Sequence, residues 1–224
     1  MNIEKTTNND SGRLGEDRKK KRCRRCGTCC EKGGPALHTD DRILVEEGRI
    51  QVKYLFTIRK GEPVVDNVKG NPVFAQTDII KIRCQTGWTG CVFFNASNKG
   101  CSIYDDRPVE CRALKCWDTA ALKAIYSKNR LTRRDLLSKV AGMWDLIQEH
   151  EARCSYRKVR ALVASIRTGK DAQAIADLEY VVNYDQQVRL LVLSEAAANS
   201  DLILFLFGCP LKDTIRRFGP VHGL

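Results

Sequence analysis

Four cysteines fall within eight positions of the stretch CRRCGTCC: Cys23, Cys26, Cys29 and Cys30. A C-x2-C pair lets the backbone turn so that both sulfurs meet at one point, which is half of a zinc site. Three cysteines at that interval also match the C-x2-C-x2-C part of ferredoxin-type runs, where one loop wraps an iron–sulfur cluster and a further ligand arrives from elsewhere in the chain. Gly27 sits inside the loop, where a positive φ costs it little. Adjacent side chains diverge, so Cys29 and Cys30 are expected to serve two sites or two metals of one cluster. Further along stand Cys91, Cys101, Cys111 and Cys116, enough thiols to complete either arrangement.

Charge fits the same chemistry. The chain carries a formal charge of +11, and thiolates gathered round a metal leave a net negative centre. Arg24, Arg25 and Arg112, set between cysteines, are candidates to offset it and to lower thiol pKa values. Lys19–Arg22 read equally well as part of a solvated tail. Of the eleven cysteines, Cys154 and Cys209 stand alone in helical sequence and read as small buried hydrophobes. Cys84 ends a predicted strand and reads as either spare ligand or bystander. The first residues lack an apolar segment of the secretory kind, and LILFLF at 202–207 is too short to span a bilayer. A cytoplasmic chain with reduced thiols is therefore expected, and disulfides are the weaker reading.

The elements that must position these thiols predict an α+β chain. Residues 1–21 read as a disordered basic leader. Residues 22–118 read as a small irregular cysteine-rich metal-binding domain with a few short strands. Residues 119–224 read as an all-helical half packed on it, a scaffold and a surface for a protein partner. HTDDRILVEEG predicts a short helix capped by Thr39 or Asp40 and ended by Gly48. Ile50, Val52, Tyr54, Phe56 and Ile58 alternate as one face of a strand, and TDIIKIRC predicts another. RKGEP and VKGNP are turns. Pro108 starts a helix whose first turn holds Cys111, with Cys116 past its end. Thr132 and Asp135 have capping-box spacing, followed by an apolar face of Leu136, Val140, Met143, Trp144 and Ile147. A longer helix over 171–200 turns Ile175, Leu178, Val182, Leu190 and Leu193 inward.

CRRCGTCC followed by CVFFNASNKGCSIYDDRPVECRALKC resembles the signature of the YkgJ-type cysteine-cluster family, whose shared domain is described as zinc- or iron-chelating. The matching positions are Cys23, Cys26, Gly27, Cys29, Cys30, Cys91, Cys101, Ile103, Tyr104, Arg107, Pro108, Cys111, Arg112 and Cys116. The resemblance implies metal binding and a small compact domain, and it makes Tyr104, Asp105 and Arg107 candidates to orient ligands or donate to sulfur. A plain turn fixed by Asp105, Asp106 and Pro108 is the competing reading. Some relatives are flagellin lysine methylases, but residues 119–224 carry no methyl-donor motif.

Three functions compete. The first is a cysteine-cluster protein that holds an iron–sulfur cluster or Zn2+ for electron transfer, cluster handling or support of a partner enzyme; the triple interval favours iron–sulfur. The second is a zinc-stapled nucleic-acid-binding module, supported by charge and opposed by scattered basic residues and by His38, His150 and His222 standing alone. The third is a cluster-dependent, methylase-like modifying enzyme, for which no nucleotide loop occurs. His38 beside Asp40 and Asp41 is its acid–base candidate, with plain surface as the alternative.

Overall fold

A computed structural model describes residues 23, 25–169, 172–195 and 200–218; the basic leader, Lys19–Arg22 and Arg24 lie outside them. The architecture is mixed, with short antiparallel strand pairs first and helices after. The loop of cysteines leads into α1 (Thr28–Glu31), and a 3-10 turn over Thr39–Asp41 into α2 (Arg42–Glu46). Then come β1 (Leu55–Ile58), β2 (Pro63–Val65), β3 (Pro72–Phe74), β4 (Ile79–Ile82), β5 (Phe94–Asn95) and β6 (Gly100–Cys101). The helices α3 (Val109–Ala113), α4 (Ala120–Ile125), α5 (Arg133–Leu137), α6 (Met143–Cys154), α7 (Tyr156–Gly169), α8 (Ala172–Glu195), α9 (Ser200–Phe207) and α10 (Leu211–Thr214) complete it.

The strands pair as β1–β4, β2–β3 and β5–β6, all antiparallel. β1 meets β4 from Leu55↔Ile82 to Ile58↔Ile79, and the 35–37 segment bonds the other edge of β4 through Leu37 N to Ile80 O at 2.8 Å and Ile82 N to Pro35 O at 3.0 Å. The β2–β3 hairpin closes on Asp66, whose carboxylate accepts from the N–H groups of Val68 and Lys69, the self-bonding turn that Asp favours.

One core joins both parts of the chain. Leu37, Leu55, Ile80 and Phe94 pack in a single cluster with Ile147, Val188 and Phe205. A second cluster lies among α6, α7, α8 and α10. Buried arginines reinforce the junction. Arg59, at the end of β1, donates to Glu151 on α6 at 2.6 and 3.0 Å and to Cys154 O at 2.7 Å. Arg133 binds Asp78, Glu151 and Leu206 O. Arg189 reaches the carbonyls of Phe207, Gly208 and Cys209 at and just past the end of α9, where a helix end leaves oxygens unpaired.

Several expectations shift. The helical stretch of the 3-10 turn Thr39–Asp41 and α2 is capped at His38, one residue earlier than Thr39. Val52–Tyr54 forms a 3-10 turn, and β1 buries Leu55 and Thr57 rather than Phe56 and Ile58; Thr57 Oγ1 donates to Phe205 O at 2.6 Å, so a hydroxyl takes an inward place. The helix expected from Thr132 does begin with the capping box, but it breaks before Gly142, whose φ of 73° starts α6 afresh. Val140 is consequently exposed. In α8 the buried stripe runs through Ala174, Leu178, Val181, Asp185, Val188 and Val192, and Leu190 faces outward.

Candidate metal centre

The cysteine loop coils through two left-handed residues, Arg25 at φ 52° and Gly27 at φ 84°. A side chain at Gly27 would meet the Phe94 ring, with Cε2 only 2.7 Å from its Cβ. Glycine is thus required both for the turn and for the approach. α1 follows, tied by Glu31 N to Gly27 O at 2.9 Å, and presents Cys29 and Cys30. Backbone bonds then bring in the second segment: Cys91 N donates to Cys30 O at 2.7 Å, and Phe94 N to Cys91 O at 3.0 Å. Cys101 lies opposite Phe94 in the β5–β6 pair.

Cys111 sits in the first turn of α3, and two carboxylates, Asp41 buried and Glu110 half-buried, fix that helix. Asp41 accepts from Val109 N at 2.8 Å and from His38 N at 3.0 Å. Glu110 accepts from Ala36 N, Arg130 and His38 Nε2. His38 is therefore a buried orienting group, 3% exposed, and not surface.

Electrostatics show which thiols share a neighbourhood. Cys29 and Cys30 share a sulfur–sulfur hydrogen bond in which either thiol can donate; with Cys30 as the donor, Cys29 is lowered to about 6. Cys30 is pushed up, first by holding that proton, then by burial and by Cys29, Cys91 and Cys101. Burial, then Cys101, Cys84 and Cys29, push Cys91 to about 11. Burial also raises Cys111, with Cys91, Cys101 and Cys29 adding to it. Cys29, Cys30, Cys91, Cys101 and Cys111 thus feel one another although up to 82 positions apart. Cys26 hangs at the edge of the group: Thr28, 3.4 Å away, lowers its pKa. Cys23 and Cys116 are exposed, and Cys116 lies past the end of α3. All eleven cysteines are free thiols. The Cys29–Cys30 sulfurs are 4.0 Å apart.

Cations border the group. The guanidinium carbons of Arg25 and Arg107 lie 4.0 and 3.4 Å from the Tyr104 ring centroid, close enough for cation–π attraction. Arg107 lowers the pKa of both Cys29 and Cys101. Its Nε is buried without a hydrogen-bond partner. Asp105 is exposed, and Asp106 pairs with Arg49 at 3.0 Å. A soft-sulfur donor set with an unspent N–H beside it fits zinc or an iron–sulfur cluster.

A scan of protein families matches residues 22–139 to the CxxCxxCC family, described as a zinc- or iron-chelating domain. The chain belongs to this family. The CxxCxxCC match covers just over half of the chain and includes all eight cysteines of the motif, so metal binding is supported. No curated protein and no solved structure matches.

Sequence reasoning missed another group. His150, Cys154 and Asp185 bring their ligand atoms within 4.8 Å of one another, the only such trio among the described residues. Spacing i, i+4 on α6 hinted at the first two; Asp185 was hidden on α8. Asp185 already accepts from His150 Nε2 at 2.8 Å, from Arg189 and from Leu211 N. Burial opposes its ionisation, but these bonds outweigh it and hold the carboxyl at about 2. A cation here would face the Arg189 guanidinium on the same oxygens. Burial lifts Cys154 to about 12 and keeps His150 neutral by lowering it. The trio is a packing knot between α6 and α8.

Proposed function

We propose that this chain holds an iron–sulfur cluster, or alternatively zinc, through thiolates drawn from Cys23, Cys26, Cys29, Cys30, Cys91, Cys101, Cys111 and Cys116, and serves electron transfer or cluster support for a partner enzyme in the cytoplasm. The observation that carries it is the closure of a separate segment onto the cysteine loop: Cys91 N bonds Cys30 O, and Phe94, the strand partner of Cys101, packs against Gly27. Several thiols that raise one another's pKa are costly to ionise together, and a bound cation relieves that cost. The triple C-x2-C-x2-C interval and the Arg107 Nε–H favour a cluster, since hydrogen bonds to sulfur tune cluster potentials. A cluster supplies one-electron exchange, whereas zinc supplies a structural cross-link.

In this reading the adjacent Cys29 and Cys30 thiols share a proton before metal arrives and release it on binding. Arg107 and Arg25 offset the negative charge, and Tyr104 holds both guanidinium groups in place. Asp41 and Glu110 orient Cys111. The region of residues 22–118 carries the chemistry, and the helices from 119 onward back it and offer the partner surface.

Anaerobic purification with metal and acid-labile sulfide analysis tests the proposal. A brown protein with iron, sulfide and a broad visible absorption is expected. Colourless protein with stoichiometric zinc removes the redox role and leaves the zinc site; protein with neither metal overturns both.

A further inference from the structure

Cys84 stands outside the family's cysteine pattern, two residues beyond β4. It pairs with Cys91 across an isolated antiparallel bridge. The flanking bonds, Gln85 N to Gly90 O at 2.8 Å and Val92 N to Arg83 O at 2.9 Å, make this a non-hydrogen-bonded pair. In that register the two Cα atoms lie about 4.5 Å apart and both side chains leave the same face. The Cys84 thiol therefore stands beside that of Cys91.

A second contact places Cys84 against the cysteine loop. Its Sγ lies 3.7 Å from where a Cβ on Gly33 would sit, over the turn that leaves α1. The Cys30 carbonyl accepts both Gly33 N at 3.2 Å and Cys91 N at 2.7 Å. Cys30, Cys91, Cys84 and Gly33 thus close a ring of adjacent contacts, with a sulfur on three of the four. Cys91 is buried, whereas Cys84 is exposed, so Cys84 is the member of the pair open to solvent.

We infer that Cys84 is a further thiolate ligand of the metal centre, acting as a pair with Cys91. This rests on the metal-centre reading above. Two sulfurs on one face at that separation can be drawn onto one ion or onto neighbouring metals of a cluster, and binding releases the thiol proton to solvent.

The full-length protein, loaded anaerobically with Zn2+ and in parallel with ferrous iron and sulfide, would be alkylated with iodoacetamide and mapped by mass spectrometry beside metal-free protein. Cys84 and Cys91 are expected to be protected together when loaded, and Cys84 to react at least tenfold faster without metal. In competition titrations Cys84→Ser should weaken Zn2+ binding at least tenfold, and Cys209→Ser should leave it unchanged. Equal alkylation of Cys84 in both states, or wild-type affinity in Cys84→Ser, overturns the inference. A Cys84–Cys91 disulfide in both states overturns it as well. Wild-type protein that binds neither metal overturns the underlying reading itself, a failure distinct from the other outcomes.

Discussion

Glu151→Gln tests the junction between the strand-bearing part and the helices. Glu151 accepts from Arg59 Nε at 2.6 Å, Arg59 Nη2 at 3.0 Å and Arg133 Nη2 at 2.7 Å. Arg59 and Arg133 are 0% and 1% exposed, so neither can turn to water when its partner is lost. Burial alone would raise the Glu151 pKa; the two guanidinium groups outweigh it and take the carboxyl from 4.5 to about 2. At 1.36 kcal/mol per unit, that difference is worth about 3 kcal/mol at pH 7. The folded pKa is depressed, so the contribution is complete above the unfolded value and disappears as pH falls through about 2. Gln mimics the protonated acid and lacks the contribution at every pH. Urea unfolding of both proteins should show a gap of about 3 kcal/mol at pH 7, narrowing to about 1 kcal/mol at pH 3. A gap below about 1 kcal/mol at pH 7, or one that pH does not change, would refute the reasoning.

Other substitutions probe the site and its supports. Gly27→Ala combines left-handed strain of about 1–2 kcal/mol with a clash against buried Phe94, so Zn2+ affinity by competition titration should fall at least tenfold; Gly48→Ala, at φ 72° with open space around it, should keep wild-type affinity. Asp41→Ala removes the acceptor at the start of α3 and should cost about 0.5–2 kcal/mol in chemical denaturation while weakening metal binding through Cys111. Cys154→Ala should cost roughly 1 kcal/mol of stability, near the worth of one buried methylene, with metal content unchanged; loss of a metal equivalent would contradict the packing reading of His150, Cys154 and Asp185.

The local features of the site were legible in the sequence. The Cys23–Cys30 spacing, the left-handed Gly27, the helix starting at Pro108 and the Thr132–Asp135 capping box each depend on a few consecutive residues, and each stands where expected. Most of what failed depended on partners far along the chain. His38 looks like surface until Glu110 arrives 72 residues later. Thr57 looks outward-facing until Phe205 O accepts its hydroxyl. On α8, Ile175, Leu178, Val182 and Leu193 do pack on the core while Leu190 faces outward; the inward place of Asp185 was missed, because a carboxylate reads as solvated until His150 and Arg189 pair with it. Gly142 also broke a helix whose apolar spacing ran on through it. Polar residues buried by remote pairing leave no periodic signal.

The central claim is that sulfurs from separate segments meet at one inorganic centre. X-ray absorption at the metal edge of the anaerobically purified protein tests it most directly. A first shell made mainly of sulfur at about 2.3 Å is predicted, depleted when Cys91 or Cys111 is changed to Ser. A shell of nitrogen and oxygen alone would contradict it.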